Sequence, residues 1–257
     1  MIRKSLKNAF IETFEPTMKK NGFLRKGKIF HRIVNGKIVQ RLSFLKYSGP
    51  LFTIQFSIGP LCSGHEYSTF MDASRMDETF KDIDPWEYEY QTDEYIHYMP
   101  EALRVTEERL LPLLDSINDY ESYLEKMNDL YSWPMPIFSN LVYMINMVLG
   151  NYELCEESRE AFIKYNIEAN QERWGTDYHI DLGLQEIFEQ RCKEYYRMKV
   201  AMDNNDHETI EQYIHEQEQK SLRSYIKAYT TPKKYETFLE TGVLPFEFVL
   251  IPDREAK

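Results

Sequence analysis

The residues best equipped for chemistry lie together in Cys62-Ser63-Gly64-His65-Glu66. A thiol becomes a nucleophile when a neighbouring imidazole lowers its pKa, and Gly64 would permit the tight turn that brings Cys62 and His65 together, with Glu66 alongside. Sequence neighbours seldom form such a pair, and no local signature of a thiol enzyme surrounds this one. The plainer reading is a strand-end cysteine packed under a sheet. No catalytic residue is therefore assigned, and Cys62, His65 and Glu66 stand as candidates only. His207, Glu211 and His215 fall four apart on one helix face, a spacing that could set ligands side by side. A metal would need further donors, His97 or His179, and the flanking Glu208, Glu216 and Glu218 suggest a plain solvated face. Neither a metal nor a cofactor is expected. GxGxxG, GxxxxGK[ST] and GxSxG are all absent, which removes the commonest nucleotide-loop and serine-hydrolase hypotheses.

A second kind of chemistry is recognition. Trp86, Tyr88, Tyr90, Tyr95 and Tyr98 stand among Asp82, Asp84, Glu87, Glu89, Asp93 and Glu94. Rings in a negative setting suit a basic protein partner, because charge guides encounter and aromatic anchors supply affinity. Trp86, Glu87, Tyr88, Glu89, Tyr90 and Tyr95 are the expected partner-binding set; the alternative is that these rings complete a core. In the basic segment Phe23, Phe30, Phe44 and Tyr47 could stack single-stranded nucleic acid. The same rings are core candidates, and an acidic remainder would repel a polyanion, so nucleic acid is not the expected partner.

Charge is distributed by position. Residues 1–50 hold twelve Lys/Arg against Glu12 and Glu15, a net of +10, and the other 207 residues carry −21. Such a split marks either a surface for an oppositely charged partner or two parts of one molecule that attract each other. Three cysteines, Cys62, Cys155 and Cys192, without a CxxC, argue against a disulfide framework or zinc knuckle and for a reducing cytoplasm. No apolar run approaches the ~18 residues of a membrane span. A soluble cytoplasmic protein is expected.

The elements that would position these residues follow from periodicity. Ile2, Leu6, Phe10, Phe14 and Met18, with Ala9, predict an amphipathic first helix, kinked at Pro16 and stopped at Gly22. Three strands follow as a meander: Phe23 to Val34, then Lys37 to Tyr47 after the Asn35-Gly36 hairpin, then Leu51 to Leu61. In the third, Phe52, Ile54, Phe56 and Ile58 alternate with Thr53, Gln55 and Ser57, which predicts one core face and one wet face. A fourth strand at Trp86–Tyr90 could set Glu87 and Glu89 opposite Arg25, Lys28 or Arg41.

From Pro100, placed at a first helical position, the pattern is helical, with a bend at Pro112. Asn118 with Glu121, and Asn205 with Glu208, read as capping boxes. Ser132-Trp133-Pro134-Met135-Pro136 cannot continue a helix, so the domain boundary falls there, between 1–132 and 133–257. The second half reads as helices at Ile137–Leu149, Tyr152–Arg173, Leu182–Asp203, His207–Tyr229 and Lys233–Thr241. Val243 to Pro252 reads as an edge strand or a strap over the helices. The fold class is α+β: an N-terminal helix packed on an antiparallel meander sheet, followed by an all-helical domain of helical hairpins.

The stretch Gly22-Phe23-Leu24-Arg25-Lys26, continuing through Ile29-Phe30-His31-Arg32, with Val39-Gln40, Phe44, Phe52-Thr53-Ile54 and Ile58-Gly59, resembles the opening of an uncharacterised bacterial domain family. In that family a helix leads into a Gly-Phe-x-[Arg/Lys]-Lys strand and an antiparallel sheet. Gln55 departs from its customary Asn. The resemblance covers residues 1–130, implies a bacterial origin and brings no catalytic residue. Gly150-Asn151-Tyr152-Glu153-Leu154-Cys155 is similar to the middle of a tetratricopeptide repeat, but Arg159 takes the usual aromatic position, no 34-residue period is visible, and Asp203 to Ile214 echoes the turn only loosely. The functional expectation is a cytoplasmic interaction protein without chemistry of its own, immunity-like or an adaptor, that binds a basic partner. The alternatives are an enzyme with a site assembled from scattered residues near Cys62, or single-stranded nucleic-acid binding by the basic sheet.

Overall fold

The four-residue spacing of apolar side chains at the start forms the helix it predicts. Helix α1 (Leu6–Lys20) buries Ala9, Phe10, Phe14 and Met18. It runs through Pro16, which lies on the exposed side, where water can replace the donor lost to the Glu12 carbonyl. Gly22 stops it at φ +77, and the Phe23 N–H returns to the Met18 carbonyl at 2.9 Å. The computed structural model describes residues 6–47, 51–64, 74–87, 95–130, 140–164 and 182–251. The chain divides into unit 1 (1–61, 66–134 and 222–257) and unit 2 (62–65 and 135–221). Residues 222–257, which sequence analysis grouped with the helical domain, thus belong with the sheet.

Unit 1 is built on an antiparallel sheet: β1 (Leu24–Lys26), β2 (Ile29–Val34), β3 (Ile38–Lys46), β4 (Leu51–Pro60) and β5 (Ser74–Arg75), in that order, with β6 (Trp86–Glu87) also paired to β4. The expected first strand is split in two. Gly27, at φ +62, opens a two-residue loop that pairs Lys26 with Ile29. Asn35 and Gly36 make the expected hairpin turn, with φ of 49° and 67°. The fourth strand does not lie beside the basic ones: Trp86 and Glu87 pair with Phe52 and Leu51, so Glu87 is not opposite Arg25, Lys28 or Arg41. Glu89 lies outside the described residues.

Phe30, Leu42, Phe44, Ile54 and Phe56 form one face of the sheet, and Phe10 of α1 packs on it with ring centroids 5.6 Å from Phe30 and 5.2 Å from Phe44. The other face is largely covered rather than wet, with Gln55 half-buried. Thr53 and Ser57 are buried, because α2 (Met76–Thr79) and residues 222–249 cover it. Thr53 donates its hydroxyl to Asp77 at 2.6 Å. α3 (Tyr95–Val105) contains Pro100 in its interior rather than at its start, and passes through a π turn (Thr106–Leu110) into α4 (Leu111–Asp115). The turn lies just before Pro112, whose missing N–H favours a wider hydrogen-bond loop. α5 (Tyr120–Leu130) is capped by Asp119, not Asn118: Asp119 Oδ1 accepts from the Ser122 N–H (2.7 Å), and Ser122 Oγ accepts from the Asp119 N–H (3.1 Å).

The described residues of unit 2 form α6 (Asn140–Val148), α7 (Tyr152–Lys164), α8 (Leu182–Asp203) and the start of α9 (His207–Tyr229), whose residues from 222 on belong to unit 1. α10 (Pro232–Thr241) follows in unit 1, with Thr231 accepting the Lys234 N–H and Gly242 closing it at φ +69. The chain then returns to the sheet. The Val249 N–H donates to the Ile33 carbonyl (2.8 Å), and the Asn35 N–H donates to Val249 O (2.9 Å), a parallel bridge onto β2 beyond the end of β1. The Asn35 side chain also grips Ile251, donating to its carbonyl at 3.0 Å and accepting its N–H at 2.9 Å. A Cβ on Gly22 would stand 2.5 Å from Val249 Cγ2, and at φ +77 the left-handed backbone resists any side chain. Gly22→Ala should therefore cost about 1–2 kcal/mol. Hydrogen exchange should show the Val249 amide losing protection first; unchanged protection there would contradict the packing described. Among the described residues, no helix is long and apolar enough to cross a membrane.

Candidate functional site

Cys62 sits in a 3-10 turn (Leu61–Ser63) and is wholly buried, at 0 % exposure, without a disulfide. Reactive thiols are at least partly exposed, and this one is not. His65 and Glu66 lie outside the described residues. In the partner-binding set, Trp86 is 8 % exposed and stacks on Phe52 with centroids 5.7 Å apart, so this ring is packed in the core. Tyr95 opens α3, Glu87 pairs in register with Leu51, and Tyr88, Glu89 and Tyr90 lie outside the described residues. Phe23, Phe30 and Phe44 are buried, and Tyr47 donates its hydroxyl to Asp77 (2.9 Å), so these rings form no open stacking surface. His207, Glu211 and His215 are exposed along α9. Among the described residues no group of three or more His, Cys, Asp or Glu is arranged to hold a metal ion.

What the sheet of unit 1 assembles instead is a polar row. β2, β3 and β4 bring His31, Arg41 and Ser57 into register on the face covered by residues 222–249. Arg41 Nε donates to Ser57 Oγ at 2.8 Å and its Nη1 to Tyr229 Oη at 2.9 Å. His31 Nδ1 lies 2.5 Å from Tyr225 Oη, and the Tyr229 ring lies 4.4 Å from the His31 ring. Tyr225 and Tyr229 are one turn apart on α9, the spacing that puts both on one side. His31 is 1 % exposed, and its Nε2 has no hydrogen-bond partner among the described residues. Burial, helped by the charges of Lys26 and Arg41, pushes its pKa down to about 3, so the imidazole is neutral at physiological pH. Lys26 Nζ donates to the carbonyls of Ala228 and Thr230, placing a cation at the negative end of α9.

The opposite face carries a buried cation. Arg32 donates to Gln40 Oε1 (2.8 Å), to the Asn21 carbonyl (2.7 Å) and to Asp115 Oδ1 (2.5 Å), and lies over the Phe23 ring. The Asp115 pair joins the basic opening segment to the acidic stretch after it. By composition unit 1 is nearly neutral, with 23 Lys/Arg against 25 Asp/Glu, and the excess of acid per residue is concentrated in unit 2, with 8 against 17.

Unit 2 contains two helical hairpins closed in the same way. At the first, Gly150 N–H meets Met147 O (3.2 Å) and Asn151 N–H meets Asn146 O (2.9 Å); at the second, Asn205 N–H meets Met202 O (3.1 Å) and Asp206 N–H meets Ala201 O (2.9 Å). Both are Schellman stops, with Gly150 at φ +74 and Asn205 at φ +54. Asn205 is therefore the stop of α8, and the cap of α9 is Asp206, which accepts the Thr209 N–H at 3.1 Å. Glu153, Glu157 and Glu160 are exposed along α7, and Glu208, Glu211 and Glu216 along α9. On α8 Tyr196 is 69 % exposed, with Val200 one turn on. No protein-family model, no curated protein and no solved structure matches this chain.

Proposed function

We propose that the protein is a cytoplasmic binding protein, immunity-like or an adaptor, that holds a basic protein partner on the acidic helical hairpins of unit 2. The observation that carries this reading is the exposure of glutamates along α7 and α9 in a unit with about twice as many acids as bases, beside the exposed Tyr196 and Val200. Like charges along two helices steer a cation inward, and an exposed ring with an aliphatic neighbour supplies the apolar anchor that charge alone lacks. Paired helical hairpins are a common scaffold for extended recognition surfaces. Trp86 of the expected partner-binding set is packed in the core, and the surface proposed here lies on these helices.

The test uses the full chain as bait in a lysate of its source, alongside a Glu153→Lys, Glu157→Lys, Glu160→Lys variant. A basic protein retained at low salt, released at high salt and bound about tenfold more slowly by the variant is the expected result. A partner held equally by both chains, or one indifferent to salt, would overturn the assignment.

A further inference from the structure

Unit 1 holds a cleft of about 670 Å³ between β1, the end of α9, the start of α10 and the C-terminal strap. That volume suits a small molecule rather than a polymer. Arg25, Lys26 and Lys234 line it, with Glu247 the one acidic residue among the described residues of its wall. Arg25 also reaches Glu15 at 3.2 Å, but Glu15 is shared with Lys19 at 2.9 Å. The carbonyl end of α9 is occupied by Lys26, and α10 begins at the cleft, whose wall includes its N-cap Thr231 and Lys234 of its first turn. Arg25, Lys26 and Lys234 outnumber Glu247 in this wall; Arg25 is shared with Glu15 and Lys26 with the carbonyl end of α9, and the positive surplus that remains suits a phosphate monoester. The remaining wall is largely apolar and includes the rings of Tyr229, Phe246 and Phe248, the last two tilted by 52° with centroids 6.4 Å apart. His31 lines the same cleft, and its buried Nε2 has no hydrogen-bond partner among the described residues.

We infer that this cleft binds a small phosphomonoester bearing an aromatic ring, of the nucleoside monophosphate class. The phosphate sits among Arg25, Lys26 and Lys234, the ring lies against the aromatic wall, and a ring or sugar atom meets His31. The site is separate from the acidic hairpins and stands whether or not they bind a protein.

Calorimetric titration of the full chain with the common nucleoside 5′-monophosphates, with inorganic phosphate and with the free nucleosides decides it. At least one monophosphate should bind about tenfold more tightly than either fragment, since both halves of the site contribute. Lys234 and Glu247 are exposed, so neither substitution threatens folding. Lys234→Glu should weaken binding about tenfold, and Glu247→Lys should strengthen it severalfold. In nitrogen NMR of the imidazoles the His31 Nε2 resonance should move on saturation. No binding at millimolar monophosphate, equal binding of phosphate alone, indifference to both variants, or an unmoved His31 signal would each overturn the assignment.

Discussion

Between pH 7 and pH 5 unit 1 should lose about 2 kcal/mol of stability through His31, and about 3 kcal/mol by pH 4. The folded imidazole titrates near 3 against an ordinary 6.5, because burial and the nearby Lys26 and Arg41 disfavour its charge. A lowered folded pKa means that the unfolded chain binds the proton first. The full stability is therefore present above about 6.5, and it falls as pH drops through the interval to about 3. Carboxylates with lowered pKa, such as Glu15 and Asp82, act in the same direction but lower on the pH scale, so the upper part of the span is where the histidine dominates. Hydrogen exchange of β3 amides, followed across that span, should show the slope in the parent chain and its absence in His31→Phe. A variant with the same slope as the parent would refute the account. Tyr225 loses a partner in that variant, which lowers its stability at every pH but does not tilt it.

Arg32→Met should destabilise unit 1 by about 3 kcal/mol, the lower end of the range for breaking a buried ion pair. The Arg32 side chain is 2 % exposed, and its three nitrogens serve Gln40, the Asn21 carbonyl and Asp115. Removing the guanidinium leaves the buried Gln40 Oε1 and the half-buried Asn21 carbonyl with a donor each to replace. Asp115 is 42 % exposed and returns to water, which keeps the loss from being larger. Gln40 is itself held by its Nε2 donating to the Leu114 and Ile117 carbonyls, so it cannot turn to find another partner without breaking those. Arg32→Lys should recover little, because one ammonium cannot reach acceptors spread around a planar fork. Urea unfolding at neutral pH measures both; a loss under about 1 kcal/mol for Arg32→Met would show the network to be dispensable.

The elements were legible where their cause is local. The four-residue spacing of Phe10, Phe14 and Met18 forms α1, the left-handed pair Asn35-Gly36 turns the hairpin, and α8 and α9 begin and end where periodicity and breakers place them. The misplacements are also local, but they involve one residue with two possible jobs. Asn205 could cap α9 or stop α8, and its positive φ gives it to the stop, which passes the cap to Asp206. Gly27 could be a strand residue or a turn, and a two-residue loop takes it.

The polar row was invisible for a different reason. His31, Arg41, Ser57, Tyr225 and Tyr229 share no spacing, and the alternation that carries Ser57 reads as a solvated face. Sequence alone determined the helix and strand periods, the turn residues, the α+β class and the uneven charge, because each depends on neighbours within a few positions. Only the tertiary structure decided that residues 222–249 return to cover the second face of the sheet. That burial makes a wet surface into an interior, silences the charge of His31 and closes a cleft beside it. No local pattern encodes it, because whether a face meets water depends on which distant segment arrives there.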